Sequence, residues 1–454
     1  MKRSPIRHIP TAVLLVLLTG AIAAVSQQSG AQQPPAPGGE DVTVILEGRL
    51  RSQFRLAIPE FDGLALLGPD LRGAADEIDR TLRSDLEASR VFRLQGPADL
   101  SVLALTGDLT RDFELYRSLQ NELVLQVDLR PEGDKLVIEG RLYHLESGDS
   151  ILGKRYRGTP AVARRIAHTF ADEIILALSG RQGVALSQIA FYSDRSGFKE
   201  IYLMDYDGAN QRPVTAHKSI SLTPDWSRAG DTIAYVSYFS GAPGIYLVDL
   251  ATGRKQPVVT EGSLNISPSF SPDGRKIVFG RSMGGGNTEI FVANRDGTSL
   301  RQLTHSSGID TNPAWSPSGR DIAFTSSRAG NPNIYVMDAE GANLRRLTFE
   351  GDYSDGAAWS PDGTRIAYAS RRSGRFDIAL TDVVTLESRL LTSGPGSNET
   401  PSFSPDGRQI VFASKRRNSP SGTQVYKIEL DGSGIRQLTK DGNNFSPSWS
   451  GFPK

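Results

Sequence analysis

A unit of about 44 residues, repeated six times, constrains the fold of this chain more than any other feature. Each copy holds an apolar triplet such as Ile189-Ala190-Phe191, a turn, an aromatic strand, a Gly turn, a Leu-Thr or Val-Thr pair and a Ser-Pro-Asp-Gly turn or a relative of it. The triplets begin 44 or 45 residues apart, at Ile189, Ile233, Ile277, Ile322, Ile366 and Ile410. A period of this length is typical of repeat architectures.

The fourth unit shows what one repeat predicts. Short strand patterns at 321–326, 334–337, 344–348 and 357–359 are separated by polar turns. Four short strands with tight Gly turns are the signature of a propeller blade. We therefore predict a mostly β fold, a six-bladed β-propeller, over residues 183–454, in which the aromatic strand is the fourth strand of its unit.

One aromatic residue precedes the Ser-Pro position of every unit, which predicts that it packs between blades; a ligand-binding aromatic box is the alternative. These residues are Trp226, Phe270, Trp315, Trp359, Phe403 and Trp449. The first unit lacks a preceding aromatic strand, whereas the chain ends on a surplus one at 447–450. We predict that this last strand completes the first blade and closes the ring.

The residues before the repeats fall into three predicted parts. Lys2, Arg3 and Arg7 precede a short apolar run, which indicates a signal peptide over 1–26; a buried or anchoring helix is the alternative. Residues 27–40, rich in Gln, Pro and Gly, are predicted to be a flexible leader.

A small α/β domain is predicted over 41–182 from its helical and alternating patterns. An amphipathic helix is expected at 74–86, and a second one opens at Thr159-Pro160 and ends at Gly180. Strands are expected at 42–46, 54–61, 100–105, 123–129 and 136–145.

Composition argues against several classes of partner. Lys+Arg and Asp+Glu both number 51, so no net positive field gathers nucleic acid. There is no cysteine, hence no disulfide and no lipid-bearing Cys, and we expect a mature chain that is exported and soluble, without a membrane span. The five histidines lack metal-ligand spacing, so no metal or other cofactor is predicted, although channel Asp and Asn side chains could hold Ca²⁺.

The Ser-Pro-Asp-Gly turns at 271–274, 360–363 and 404–407, each followed by an apolar triplet, resemble the WD40-like (PD40) repeats of the TolB family. A signal peptide, the segment 41–48, a small α/β domain and six blades resemble that family's layout over nearly the whole chain. The resemblance implies a non-enzymatic periplasmic docking protein of the Tol-Pal system. It would bind a Pal-like peptidoglycan-associated lipoprotein through the propeller and a TolA-like inner-membrane protein through the N-terminal segment, and support outer-membrane integrity during cell division.

In that family, loops that lead into the aromatic strands form the Pal-binding face. Polar side chains at the matching positions suit a rim that recognises a partner by hydrogen bonds, although such residues also occur simply as turn formers. The matching positions are Asn265, Asp310, Thr311, Asn312, Asp355, Asn398, Glu399 and Thr400.

No catalytic residue is predicted. A peptidase related to such propellers requires a further catalytic domain of the α/β-hydrolase type, and no segment of this sequence is predicted to form one. The alternative function is a secreted β-propeller that binds or hydrolyses a small ligand or glycan, but no paired carboxylates stand out among the many turn Asp residues.

Overall fold

The computed structural model describes residues 53–394, 396–416 and 422–452. Gln53 and the residues after it form one compact unit. The predicted signal peptide, leader and strand at 42–46 lie outside the described residues. The division into an α/β domain at 41–182 and a propeller at 183–454 remains a prediction.

The α/β domain is built on a five-stranded sheet in the order β2-β1-β3-β4-β5, in which β1 is parallel to β2 and β3, and β3-β4-β5 form an antiparallel meander. The strands are β1 Phe54–Ala57, β2 Phe92–Gln95, β3 Leu123–Glu132, β4 Lys135–His144 and β5 Ser150–Gly158. The helices are α1 Pro69–Ala88, α2 Pro97–Leu100, α3 Leu109–Ser118 and α4 Ala163–Ser179, with 3-10 turns at Leu64–Leu66 and Pro160–Val162.

Helices α1 and α4 cover one face of this sheet. Ile78 and Leu82 of α1 pack with Phe170 and Ile174 of α4 in one buried apolar core. Gly140 of β4 lies directly beneath the ring of Phe170, where a Cβ would collide with it. Close contact between α4 and the sheet therefore depends on a glycine at this position.

Both predicted helices are confirmed, and α4 ends as expected. Gly180 adopts a φ of 65° and donates its N–H to the carbonyl of Leu176, so it caps the helix in the left-handed conformation. The hairpin between β3 and β4 is also confirmed. The predicted strand at 54–61 ends at Ala57, before Pro59.

The predicted strand at 100–105 is wrong. Gly96 donates its N–H to the Asp99 carboxylate at 3.0 Å, which starts the short helix α2 instead. Val102, expected to lie in the strand, is 75% exposed. The strands β2 and β5 and the helix α3 were not predicted, because β2 is short and charges at Lys154, Arg155 and Arg157 obscure the pattern of β5.

The repeats form six four-stranded antiparallel sheets, the blades. Blade 1 is β29-β6-β7-β8. Blades 2 to 6 take the remaining strands four at a time in chain order from the inside outward, beginning with β9-β10-β11-β12 in blade 2. The strands are β6 Gln188–Ser193, β7 Glu200–Asp205, β8 Arg212–Pro213, β9 Ser221–Trp226, β10 Thr232–Ser237, β11 Gly244–Asp249, β12 Lys255–Val259, β13 Leu264–Phe270, β14 Lys276–Ser282, β15 Glu289–Asn294, β16 Arg301–Gln302, β17 Asp310–Trp315, β18 Asp321–Ser326, β19 Asn333–Asp338, β20 Arg345–Arg346, β21 Tyr353–Trp359, β22 Arg365–Arg372, β23 Arg375–Asp382, β24 Ser388–Leu390, β25 Ser397–Phe403, β26 Gln409–Lys415, β27 Thr423–Glu429, β28 Arg436–Gln437 and β29 Asn444–Trp449.

Each aromatic strand belongs to the same blade as the apolar triplet that follows it in the sequence. The prediction that it is the fourth strand of the unit before that triplet is wrong. The Ser-Pro-Asp-Gly turn is a tight hairpin, in which Ser360 donates its N–H to the carbonyl of Arg365 and Gly363 to that of Ser360, both at 2.9 Å. This hairpin pairs each aromatic strand, as the innermost strand, with the triplet after it. Ring closure is confirmed, since β29 pairs with β6.

The aromatic residues pack between blades, as predicted. Trp226 of blade 2 lies in one buried cluster with Ile201 and Leu203 of blade 1. Five of the six are at most 9% exposed, and Trp359 is half-buried. Within the part of the chain that the structure describes, no helix is both long and apolar enough to cross a membrane.

Candidate functional site

The propeller has two faces, which the strand directions define. Because neighbouring strands in a blade are antiparallel, the loops that enter the inner strands and the loops between second and third strands lie on one face; 305–309 and 327–332 are examples. We name this the rim face. The Ser-Pro-Asp-Gly turns and the turns after the third strands, such as 206–211, lie on the opposite base face.

The α/β domain contacts the base face. Arg90 pairs with Asp431 at 3.3 Å in the turn after the third strand of blade 6, and Arg164 pairs with Asp205 at 3.4 Å at the corresponding end of blade 1. Among the described residues, these contacts of the α/β domain thus lie on the face opposite the rim face, and the loops that were predicted to bind a partner lie on the rim face.

A central channel with a volume of about 1110 Å³ runs between the inner strands of all six blades. Its wall includes Asp225, Asn312, Asp355, Glu399 and Thr400. A cavity of this size, lined by both polar and apolar groups, is large enough to admit a side chain, a short peptide segment or a small ligand.

Every inner strand bulges once where it lines the channel, and one residue at each bulge has a left-handed backbone. The sheet register breaks there in all six blades. These residues form what we name the bulge ring: Thr223 (φ 43°), Ser267 (51°), Asn312 (48°), Gly356 (67°), Thr400 (52°) and Ser446 (47°). Such backbones cost about 1–3 kcal/mol each for residues other than glycine, and this kind of strain clusters at binding sites.

A chain of hydrogen bonds crosses three blades through the bulge ring. The hydroxyl of Ser267 donates to Asn312 Oδ1 at 2.5 Å, and Asn312 Nδ2 donates to Asp355 Oδ1 at 2.7 Å. The same carboxylate oxygen accepts from the Thr325 hydroxyl at 2.7 Å and from the N–H of Gly356 at 2.8 Å. The Asp355 side chain is thereby fixed in one orientation in the channel wall.

The structure brings four of the eight predicted site residues together in the channel wall: Asn312, Asp355, Glu399 and Thr400. Glu399 is exposed and accepts a hydrogen bond from the Ser397 hydroxyl at 2.8 Å. Thr311, half-buried, pairs with Thr325 across the sheet instead. That these residues contact a partner remains a prediction.

The other three predicted residues, Asn265, Asp310 and Asn398, are at most 1% exposed. Asn265 Nδ2 donates to the carbonyl oxygens of Pro243 and Glu261 at 3.1 and 3.0 Å. Asp310 forms an ion pair with Arg328 at 2.7 Å.

Asn398 is held in the same way, since its Nδ2 donates to Asp377 Oδ1 at 3.0 Å. Asn265 and Asn398 tie their entering segments to the preceding blade, whereas Asp310 pairs with Arg328 within blade 4. Their burial agrees with the alternative that such residues are turn formers. The candidate contact residues are then the other five: Thr311, Asn312, Asp355, Glu399 and Thr400.

Exposed apolar side chains on the rim face were not predicted. They stand in loops, out of phase with the repeat, and an apolar residue inside an otherwise polar turn is the sequence signal that could have found them. They are Phe198, Ile220, Phe239, Met283, Ile309 and Phe349, and each is at least 40% exposed. Apolar anchors surrounded by polar groups are typical of protein–protein interfaces.

Arginine side chains stack on aromatic rings at the same face. Arg328 lies 5.4 and 5.2 Å from the ring centres of Phe324 and Tyr335, and Arg371 lies 5.1 Å from that of Tyr353. This stacking holds the guanidinium groups in place at the surface, and arginine and aromatic residues are enriched in interface cores.

One carboxyl in the channel wall has a strongly shifted pKa. Burial raises the pKa of Asp225 to about 7, although the backbone N–H groups of Phe270 and Trp226 act in the opposite direction. The Phe270 N–H lies 2.8 Å from Asp225 Oδ2. Asp225 therefore joins two blades and takes up a proton close to neutral pH.

The described residues include no group of three or more His, Asp or Glu side chains arranged to hold a metal ion. The Ca²⁺ site considered from the sequence thus has no arranged ligand set in this part of the chain.

Comparison with known proteins gives one consistent family. The model of the PD40 family, described as the TolB beta propeller domain, matches residues 176–453. The Tol-Pal system protein TolB of Geobacter metallireducens is 36% identical over 221 residues, 49% of this chain and 48% of that protein. The Protein TolB homolog of Chlorobium chlorochromatii is 36% identical over 248 residues, 54% of this chain and 56% of that protein.

Among solved structures, the crystal structure of TolB from Acinetobacter baumannii matches with a TM-score of 0.74 and 27% identity, over 89% of this chain and 98% of that one. The chain spans about half the length of the curated relatives that it matches in sequence.

Proposed function

Because the chain belongs to the TolB β-propeller family, we propose that it is a non-enzymatic docking protein of the Tol-Pal system. The relatives from Geobacter metallireducens and Chlorobium chlorochromatii carry the names of a Tol-Pal system protein and a TolB homolog rather than of enzymes. The observation that carries the proposal is the rim face, where a fixed carboxylate, exposed apolar side chains and a wide channel lie together on the side away from the α/β domain.

The rim face is the proposed binding surface for a Pal-like peptidoglycan-associated lipoprotein. Asp355, held by Asn312 and Thr325, offers an acceptor whose orientation is set before binding, which lowers the entropy cost of association. Phe239 and Phe349, 62% and 61% exposed, supply apolar area that a partner can bury. Polar groups around apolar anchors favour a protein partner over a small solute.

The N-terminal segment, residues 27–40, is the proposed contact for a TolA-like inner-membrane protein. Its placement follows from the family resemblance and from export to the periplasm through a signal peptide at 1–26. In this scheme the chain bridges the inner membrane to a lipoprotein anchored at the outer layers, and so maintains outer-membrane integrity during cell division. The described contacts of the α/β domain lie on the base face, opposite the proposed lipoprotein surface.

Calorimetric titration tests this function directly. The full mature chain is titrated with the water-soluble domain of a Pal-like lipoprotein from the same organism. We expect Asp355→Asn and Glu399→Gln to weaken binding roughly 10-fold or more in combination, because each removes an acceptor charge from the rim. The matched control is Glu340→Gln on the base face, where the side chain is 71% exposed, and its affinity should stay within about twofold of the parent.

Failure of the parent chain to bind the lipoprotein would overturn the proposal. The proposal would also be overturned if the double variant bound the lipoprotein as tightly as the parent while Glu340→Gln bound it more weakly. Binding would then use the base face.

One observation favours a second function. The channel volume of about 1110 Å³ lies near the range of small-molecule sites, which keeps a ligand- or glycan-binding propeller as the alternative. Titration of the same protein with peptidoglycan fragments separates the two, because the alternative requires saturable fragment binding that Asp355→Asn abolishes.

A further inference from the structure

Two helices of the α/β domain carry polar stripes where they meet the propeller. Along α1, Glu77, Thr81 and Asp85 recur every four residues; along α4, Arg164, His168 and Asp172 do the same. Residues four apart lie on one face of a helix, so each stripe is continuous. Both stripes face the turn Asp205–Asp207 of blade 1, which follows β7.

Asp85 is the centre of this junction. His168 Nδ1 lies 2.6 Å from Asp85 Oδ2, and the hydroxyl of Tyr206 donates to Asp85 Oδ1 at 2.7 Å. All three residues are at most 4% exposed. The two carboxylate oxygens of Asp85 thus contact both domains, one through His168 of the α/β domain and the other through Tyr206 of the propeller.

Arg164 forms a second, permanent connection beside it. Its guanidinium pairs with Glu77 of α1 at 2.9 Å and with Asp205 and Asp207 of the propeller turn. Arginine stays protonated at any physiological pH. The junction therefore has one half whose charge is constant and another half that can titrate.

Charged and titratable groups surround His168 from every packed element. Asp85 faces it from α1, Arg164 and Asp172 from α4, and Asp207 with Tyr206 from blade 1. Blade 6 contributes Lys427, whose Nζ lies 4.4 Å from the ring centre of Tyr206, and Glu429 beside it. Asp172 also accepts N–H groups from Ala185 and Leu186, the segment that enters the propeller, at 3.0 and 3.2 Å.

We propose that His168, Asp85 and Tyr206 form a protonation-dependent clamp that holds the α/β domain on the base face of the propeller. In the protonated state, an imidazolium and a carboxylate form a buried ion pair that Tyr206 extends into blade 1. When His168 loses its proton, the buried Asp85 carboxylate keeps only neutral donors, and the clamp weakens.

The pKa shifts give the direction. Burial favours the neutral ring, but the hydrogen bond and charge of Asp85 outweigh it and raise the pKa of His168. Burial raises the pKa of Asp172 to about 6, although the Ala185 and Leu186 N–H groups oppose this. A raised folded-state pKa stabilises at low pH, and the contribution is lost as the pH rises through the folded value.

Both groups act in the same direction. As the pH rises through the folded-state pKa values of these two groups, His168 loses a positive charge and Asp172 gains a negative one, so the junction becomes more negative by two charges. Lys427 offsets this less and less at alkaline pH, since burial lowers its pKa to about 8.

The absence of cysteine makes a distance measurement straightforward, because two introduced cysteines carry the only spin labels. Glu114→Cys on α3 and Glu340→Cys on the propeller are suitable, with side chains 78% and 71% exposed. The full mature chain is compared by double electron–electron resonance at about pH 5.5, below the ordinary pKa of a histidine, and at about pH 8.5. We expect a narrow distance distribution at the lower pH and one roughly 1.5-fold broader or shifted at the higher pH.

Three variants test whether His168 and Tyr206 cause the pH response of the distance distribution. His168→Gln should show the broad distribution at both pH values, whereas the control His144→Gln, at the end of β4, should respond like the parent. Tyr206→Phe loses a single oxygen and should broaden the distribution at about pH 5.5 even if the His168 variant does not fold. An identical parent distribution at both pH values would overturn the proposal, and so would a full pH response in His168→Gln or Tyr206→Phe.

Discussion

The indole N–H of Trp449 donates to the hydroxyl of Ser187 at 2.8 Å, which joins the final inner strand to the segment that enters the first blade. Trp449 also donates its backbone N–H to Ser402 of blade 6 at 3.0 Å, and Gln188 donates its N–H to the Ser450 hydroxyl at 3.0 Å. The contacts with Ser187 and Gln188 each join residues 262 positions apart in the sequence and so close the ring. No blade edge is left open at the closure.

Ser187→Ala should destabilise the propeller by about 1–3 kcal/mol, because it leaves the buried indole N–H of Trp449 without an acceptor. Urea unfolding followed by tryptophan fluorescence measures this change. Ser196→Ala, in an exposed loop of blade 1, is the matched control and should stay within about 0.5 kcal/mol of the parent. Equal stability of the two variants would show that the bond does not contribute to closure.

Thr400→Asn should stabilise the protein by about 1 kcal/mol. Thr400 has a φ of 52°, which a β-branched residue adopts only under strain, and its hydroxyl is buried without a partner. Asn tolerates this conformation, as Asn312 does at the same place in blade 4. Thr311→Asn, at an ordinary φ in an inner strand, should give no gain, and a loss of stability in Thr400→Asn measured by thermal melting would contradict the account.

Asp225→Asn should remove a pH dependence of stability. The folded-state pKa of Asp225 is raised to about 7, so the folded state binds the proton more tightly than the unfolded chain does. The parent should lose stability relative to the variant as the pH rises from about 4 to about 7, and the difference should then level off. Chemical denaturation across this range measures it; parallel curves for the two proteins would exclude a titrating Asp225.

Substitutions of the neighbouring residues Asn398 and Glu399 should have different effects, one on stability and the other on lipoprotein binding. Asn398→Ala should cost about 1–3 kcal/mol of unfolding free energy, because Asp377 and Ser414 lose a buried partner. Glu399→Gln should leave stability within about 0.5 kcal/mol of the parent and weaken lipoprotein binding. Paired urea and calorimetry measurements test this, and the opposite pattern would place the contact on Asn398.

The sequence predicts the propeller well because its signal repeats. Trp226 and its five equivalents stand at one phase, so packing between blades follows from period alone. Helix α3 and the strand β5 have no such support, and the exposed charges of Lys154 and Arg155 hide the alternation that a strand normally shows.

The site was only partly predictable, for a physical reason. Asn265 of blade 3 and Thr400 of blade 6 lie in corresponding polar segments at the start of an inner strand, yet Asn265 is buried to anchor its segment and Thr400 lines the channel. A bulge in the inner strand decides which side chain faces the channel, and bulges depend on tertiary context. The stripe at Arg164, His168 and Asp172 was visible at four-residue spacing, but its meaning required the propeller turn against which it packs.

Hydrogen exchange by mass spectrometry tests the central claim most directly, because it reports which face of the propeller a Pal-like lipoprotein covers. The full mature chain is compared alone and in complex with the water-soluble lipoprotein domain. The account predicts protection in the rim loops, around 305–312, 349–355 and 397–400, with the base-face turns at 271–274 and 360–363 unchanged. Protection confined to the base-face turns, or no protection anywhere at saturating lipoprotein, would contradict it.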